Sequence, residues 1–93
     1  MNENIKKVMA EKRRMTIGQL TDLLISGNLR RELRLSKTDF SELIDVTRVT
    51  VRRVEGFEGT PSMRMVLNTA ATLRIGIDFP ECGNVEVVPK RSR

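Results

Sequence analysis

Arg48, Arg52 and Arg53 crowd into one stretch, DVTRVTVRRVE (Asp45 to Glu55), with Val49 set among them. A guanidinium carries its charge at any ordinary pH and presents a planar fork of donors that matches O6 and N7 of guanine, and matches a phosphate equally well. Val49 has nothing to hydrogen-bond with, so its use in a DNA groove would be apolar contact with a thymine methyl. These groups act together only if they share a face. On a strand they do not: alternation puts Val49, Val51 and Arg53 on one side and Thr50, Arg52 and Val54 on the other, leaving neither apolar. Wound at about 100° per residue from Thr47, the same letters sort into Thr50, Val51, Val54 and Glu55 against Arg48, Val49, Arg52 and Arg53. The spacing predicts a short helix with a thin apolar back and a cationic front.

The segment before it supplies a partner. In LSKTDFSELIDV, Ser36 with Asp39 reads as a cap with an acidic first turn, and Phe40, Leu43 and Ile44 form the apolar stripe of a helix about eight residues long. Asp45 stops that helix, because Asp tolerates the left-handed conformation a tight turn needs, and Thr47 caps the next. Two short helices joined by a turn of about three residues are the skeleton of a helix-turn-helix.

Further out, Thr16 and Gln19 form a capping-box signature ahead of Leu20, Leu23 and Leu24. Gly27-Asn28 interrupts the pattern before Leu29 and Leu33 resume it, which leaves open one helix with a weak middle or two short ones. Near the N-terminus Ile5, Val8 and Met9 suit a short amphipathic helix, an arm that orders on contact, or a frayed end. After Glu55 the turn-rich GFEGTPS leads to a further helix, with Thr60 as cap, Pro61 at its first position, Val66, Leu67, Ala70 and Leu73 inward, and Gly76 ending it. Val85, Val87 and Val88 around Glu86 suggest a short C-terminal strand, which needs the N-terminal segment or a second subunit to pair with. The expected fold is mainly α, a compact helix-turn-helix bundle of about five short helices with that strand appended. Residues 1–15 form a basic arm or helix, 16–78 the domain, and 79–93 the strand and a basic tail.

Composition narrows the chemistry. Ninety-three residues allow one compact module. Seventeen basic against twelve acidic residues give a net charge of +5, which favours a polyanionic partner. The charge is polarised: residues 30–53 hold seven basic and four acidic groups, whereas 56–88 hold two and four. The sequence has no histidine and a single cysteine, Cys82. The commonest general base and metal ligand are thus missing, and no internal disulfide can form. An enzyme is not expected, and neither a metal nor a cofactor. No apolar run approaches the length of a membrane span and no signal peptide is visible, so the expectation is a soluble, cytoplasmic protein without membrane contact.

The run LRRELRLSKTDFSELIDVTRVTVRRVE, followed by TPSMRMVLNTAATLRIGID, covers Leu29 to Asp78 and resembles the Cro/repressor (Xre-type) helix-turn-helix family. The resemblance is carried by the Leu-Ser start of the second helix, the T-R-x-T-V-x-R-V-E pattern, the Pro-Ser start of the next helix and a closing Gly-Ile-Asp. It implies a bundle of about five helices whose third lies in the major groove of DNA while the second crosses the backbone. It also implies that Arg30 pairs with Glu55 as a structural clamp setting the angle of the third helix. The family usually has Gln where Lys37 stands and Gly where Asp45 stands. Lys37 can hold a phosphate but lacks the amide for a bidentate contact to adenine.

On that footing Thr47, Arg48, Val49 and Arg52 are the candidate base contacts. Ser36, Lys37, Thr38 and Arg53 are the candidates for the DNA backbone, with Arg52 able to serve there too. One short helix reads too few base pairs for a unique address, so a homodimer on a palindromic operator is expected, through the helix after Pro61 and the Val85–Val88 strand. The implied function is a sequence-specific transcriptional regulator, most simply a repressor, on double-stranded DNA. The alternative is a DNA-binding antitoxin that also holds a toxin protein and autoregulates its operon. A protein-interaction adaptor without DNA is a third possibility, in which Arg48 and Arg52 would be dispensable.

Overall fold

Five of the six helices begin on a side-chain oxygen that accepts the backbone N–H three residues on. Asn2 caps α1 (Glu3–Ala10), Thr16 caps α2 (Ile17–Ser26), Ser36 caps α4 (Lys37–Leu43), Thr47 caps α5 (Arg48–Glu55) and Ser62 caps α6 (Met63–Leu73). The remaining helix, α3 (Asn28–Leu33), follows Gly27, whose φ of 77° breaks the α2–α3 run into two helices. Two three-residue strands, β1 (Arg14–Thr16) and β2 (Gly76–Asp78), pair in parallel, Met15 opposite Ile77. The structure, a computed structural model, describes residues 2–79. The chain is mainly α, as expected, with six helices among the described residues where about five were expected.

Helix ends repeat a second device. After α3, α4, α5 and α6 the chain turns through a non-glycine residue with positive φ, namely Arg34, Asp45, Phe57 and Arg74. The next residue donates back across the last turn: Leu35 to Arg30, Val46 to Ser41, Glu58 to Arg53 and Ile75 to Ala70, at 2.8–3.3 Å. This is the Schellman closure, which satisfies carbonyls that a helix end otherwise leaves unpaired. It also turns an apolar side chain back onto the helix, and Ile75 is buried as a result while Leu35 and Val46 are half-buried.

All helices share one core. Leu20, Leu29, Leu33, Phe40, Ile44 and Leu73 are almost fully enclosed, and Ile5 and Val8 join them from α1. Of the alternatives open for the N-terminus, a packed helix is the one adopted. The sheet ties this helix to the far end of the domain, since β1 follows α1 and its Arg14 meets Asp78 of β2 at 2.6 Å.

Three sequence expectations fail around α6. Its cap is Ser62, which accepts from the Met65 N–H at 3.1 Å, so Thr60 and Pro61 stay in the loop. Leu67 is 43% exposed instead of facing inward. Thr69 holds the core line instead, because its hydroxyl donates to the Met65 carbonyl at 2.8 Å and leaves no unmet polar group. Finally, Arg74 closes the helix and Gly76 begins β2. The strand expected at Val85–Val88 and the basic tail lie outside the described residues. Among the described residues, no helix is long and apolar enough to cross a membrane.

Candidate nucleic-acid interface

Helix α5 has two unlike sides. Val51 and Val54 are 1% and 3% exposed and press on the core, while Arg48, Val49, Arg52 and Arg53 face solvent. Among the described residues, no carboxylate lies within ion-pairing distance of any of these three guanidiniums. The first turn of α5 contains no acid, and Arg48 stands at its first position. A cation there adds to the positive end of the helix dipole instead of offsetting it, so the front end of α5 carries a field suited to an anion. Val49, 45% exposed, sits within this charged surface.

Thr47 sits at the same end but its oxygen is already engaged. Its Oγ1 accepts from the Thr50 N–H at 3.1 Å and lies 3.0 Å from the Thr50 hydroxyl. One hydroxyl donates to the other, and the spare donor is what the pair has left to offer outward.

Helix α4 packs against α5 across the turn Ile44–Thr47, where Asp45 has a φ of 60° and the Val46 N–H donates to the Ser41 carbonyl at 2.9 Å. At its start, Ser36 Oγ accepts from the Asp39 N–H at 3.0 Å. Lys37 is half-buried and Thr38 exposed, so the ammonium and the second hydroxyl flank that end while Ser36 is occupied as the cap. The structure thus groups Arg48, Val49, Arg52 and Arg53 on one helix face, with Ser36, Lys37 and Thr38 at the head of the helix packed against it.

Behind this surface, Arg30 of α3 and Glu55 of α5 meet. Arg30 Nε donates to Glu55 Oε2 at 2.9 Å and Nη2 to Oε1 at 3.0 Å, with the side chains only 15% and 8% exposed. The remaining arm, Nη1, donates to the Leu35 carbonyl at 3.0 Å. A single guanidinium therefore fixes the end of α5 and the segment leading into α4 together. A paired, planar fork is the geometry arginine holds best.

Two further contributors were not legible in the sequence. Gly27 lies so close that a Cβ there would stand 3.1 Å from the Glu55 carboxylate, so the position needs both a left-handed backbone and no side chain. The Gly27-Asn28 interruption was a visible signal, but of a helix break only. The start of α6 also comes alongside the first turn of α5, where Ser62, Arg64 and Asn68 line a hollow of about 250 Å³ with Asp45, Thr47 and Thr50. Nothing local in the sequence marks that neighbourhood. No protein-family model, curated protein or solved structure gives a significant match to this chain.

Elsewhere, Arg13 bonds both Glu11 and Glu32. The hydrogen bond from Arg13 is the largest influence holding the Glu32 carboxyl below its ordinary value, and Glu32 in turn raises Arg13. This pair bridges the segment between α1 and β1 to α3.

Proposed function

We propose that this chain is a sequence-specific DNA-binding regulator of transcription, acting as a homodimer and most simply as a repressor that occludes a promoter. The observation that carries the proposal is the front of α5, where three arginines without carboxylate partners among the described residues surround one exposed valine on a helix anchored from behind by Val51, Val54 and Glu55. A helix of this width enters the major groove, where arginine reads guanine and valine meets a thymine methyl. Arg48, Val49 and Arg52 are assigned to bases, with the spare hydroxyl of the Thr47–Thr50 pair beside them. Lys37, Thr38 and Arg53 are assigned to phosphates, and the capped end of α4 at Ser36 sits next to them.

The dimer is supported by exposed apolar side chains outside α5. Phe57 is 79% exposed, and Met63 and Leu67, one turn apart on α6, are 54% and 43% exposed. A second copy would cover them and space two α5 helices for a palindromic site.

Selection from random duplex DNA with purified protein, at a stated salt concentration, tests this directly. An enriched inverted repeat is the expected result. A pool no different from the starting one after repeated rounds would end the proposal.

A further inference from the structure

A second cationic surface lies at the opposite end of α6 from α5. The start of α6 borders the first turn of α5, and the helix then runs eleven residues, about 16 Å at the usual rise, to Leu73. There, between the end of α1 and the α6–β2 corner, Met9, Lys12, Arg13, Arg14, Arg74 and Gly76 line a hollow of about 460 Å³. Four of its six lining residues are basic.

Their donors are not all engaged. Arg13 uses Nε, Nη1 and Nη2 on Glu11 and Glu32. Arg14 uses Nε and Nη2 on Asp78, leaving Nη1, which folds across Gly76 so closely that a Cβ there would come within 2.8 Å of it. Lys12 and Arg74 have no carboxylate within ion-pairing distance among the described residues. One ammonium, one guanidinium and one spare guanidinium arm thus border a single concavity, and half-buried Met9 supplies its apolar wall.

We propose that this hollow binds a small phosphate-bearing molecule. A phosphate offers several acceptor oxygens and multiple charge to three separate donors, and the methionine wall gives the non-ionic part of such a ligand a surface. The volume lies within the range of small-molecule sites. The site makes no use of α5, so it does not depend on the DNA-binding proposal.

Lys12 and Arg74 have φ of 53° and 57°, where glycine is at ease, so Lys12→Gly and Arg74→Gly delete the cations without straining the backbone. Calorimetric titration of the full chain with inorganic pyrophosphate and with adenosine 5′-monophosphate, at ionic strength matched with chloride, is the test. Saturable binding is expected. Each glycine variant should weaken it roughly fivefold, a charged hydrogen bond discounted for exposure, and the double variant roughly twenty-five-fold. Arg48→Ala should leave it intact, and circular dichroism should report an unchanged fold in every variant. Binding that fails to saturate, that weakens less than about fivefold in the double variant, or that Arg48→Ala removes would overturn the proposal. A negative DNA selection with intact pyrophosphate binding would remove only the regulator.

Discussion

Arg30 and Glu55, twenty-five residues apart in sequence, are joined by two well-aligned hydrogen bonds in a half-buried site, while the third arm of the same guanidinium holds the Leu35 carbonyl. The arrangement sets the end of α5 relative to α3 and to the start of α4, so the aim of the cationic face depends on an interaction behind it. Removing one partner leaves the other charge shielded from water and unmatched.

Glu55→Ala should therefore lower both stability and DNA affinity, with a loss of about 3 kcal/mol in the folding free energy. Gly27→Ala, at φ of 77° and in contact distance of the same carboxylate, should cost about 1–2 kcal/mol. Urea midpoints measure both. A Glu55→Ala midpoint equal to that of the wild type would show that the pair does not hold the helices.

The proposed base and backbone contacts separate by how they fail. Arg48→Ala should cost about 1–3 kcal/mol on the selected site and relax preference at one position, whereas Lys37→Ala should weaken every sequence alike and flatten the salt dependence. Filter-binding or anisotropy titrations across a panel of single-base operator variants distinguish the two. A sequence-independent loss from Arg48→Ala would reassign it to phosphate.

Phe57 combines a left-handed backbone, φ of 60°, with an aromatic ring 79% exposed. Glycine at this position relieves the backbone but removes the ring. Phe57→Gly should raise monomer stability by about 1 kcal/mol and weaken self-association. Sedimentation equilibrium alongside thermal melts at low concentration reads both effects. Unaltered association would take Phe57 out of the proposed dimer contact.

The Arg13–Glu32 pair makes stability depend on acid. The Glu32 carboxyl titrates below its ordinary value of 4.5 in the folded chain, so its contribution is complete above that value and disappears as pH falls through the lowered one. Denaturation midpoints should fall as the pH drops below the ordinary carboxyl value, and more shallowly in Glu32→Gln. Both side chains are partly exposed, which keeps the difference small and sensitive to salt. Parallel profiles for the two proteins would show the pair to be silent.

Local chemistry was readable without coordinates because its causes are local. The caps at Thr16, Ser36 and Thr47 bond to a backbone N–H three residues on, and Asp45 takes the left-handed turn expected of it. The sorting of α5 into Val51 and Val54 against the arginines needed only the helical period. Where a polar residue could meet its needs inside its own helix, the same logic failed. Thr69 is buried and Leu67 exposed because the Met65 carbonyl takes the Thr69 hydroxyl, an option that a polar-or-apolar pattern does not contain.

The sequence by itself determined a mainly helical chain, the helix starts at Thr16, Ser36 and Thr47, the unlike sides of α5 and a cationic excess around them. Tertiary structure alone decided the rest. The pairing of β1 with β2 joins Arg14–Thr16 to Gly76–Asp78, strands of three residues that are too short to show a period. Likewise the hollow bordered by Lys12, Arg14 and Arg74 draws on both ends of the domain. Capping and amphipathicity act over one or two turns, so they are written along the chain. Which distant surfaces meet depends on how all the apolar faces are buried at once, and that balance exists only in the folded molecule.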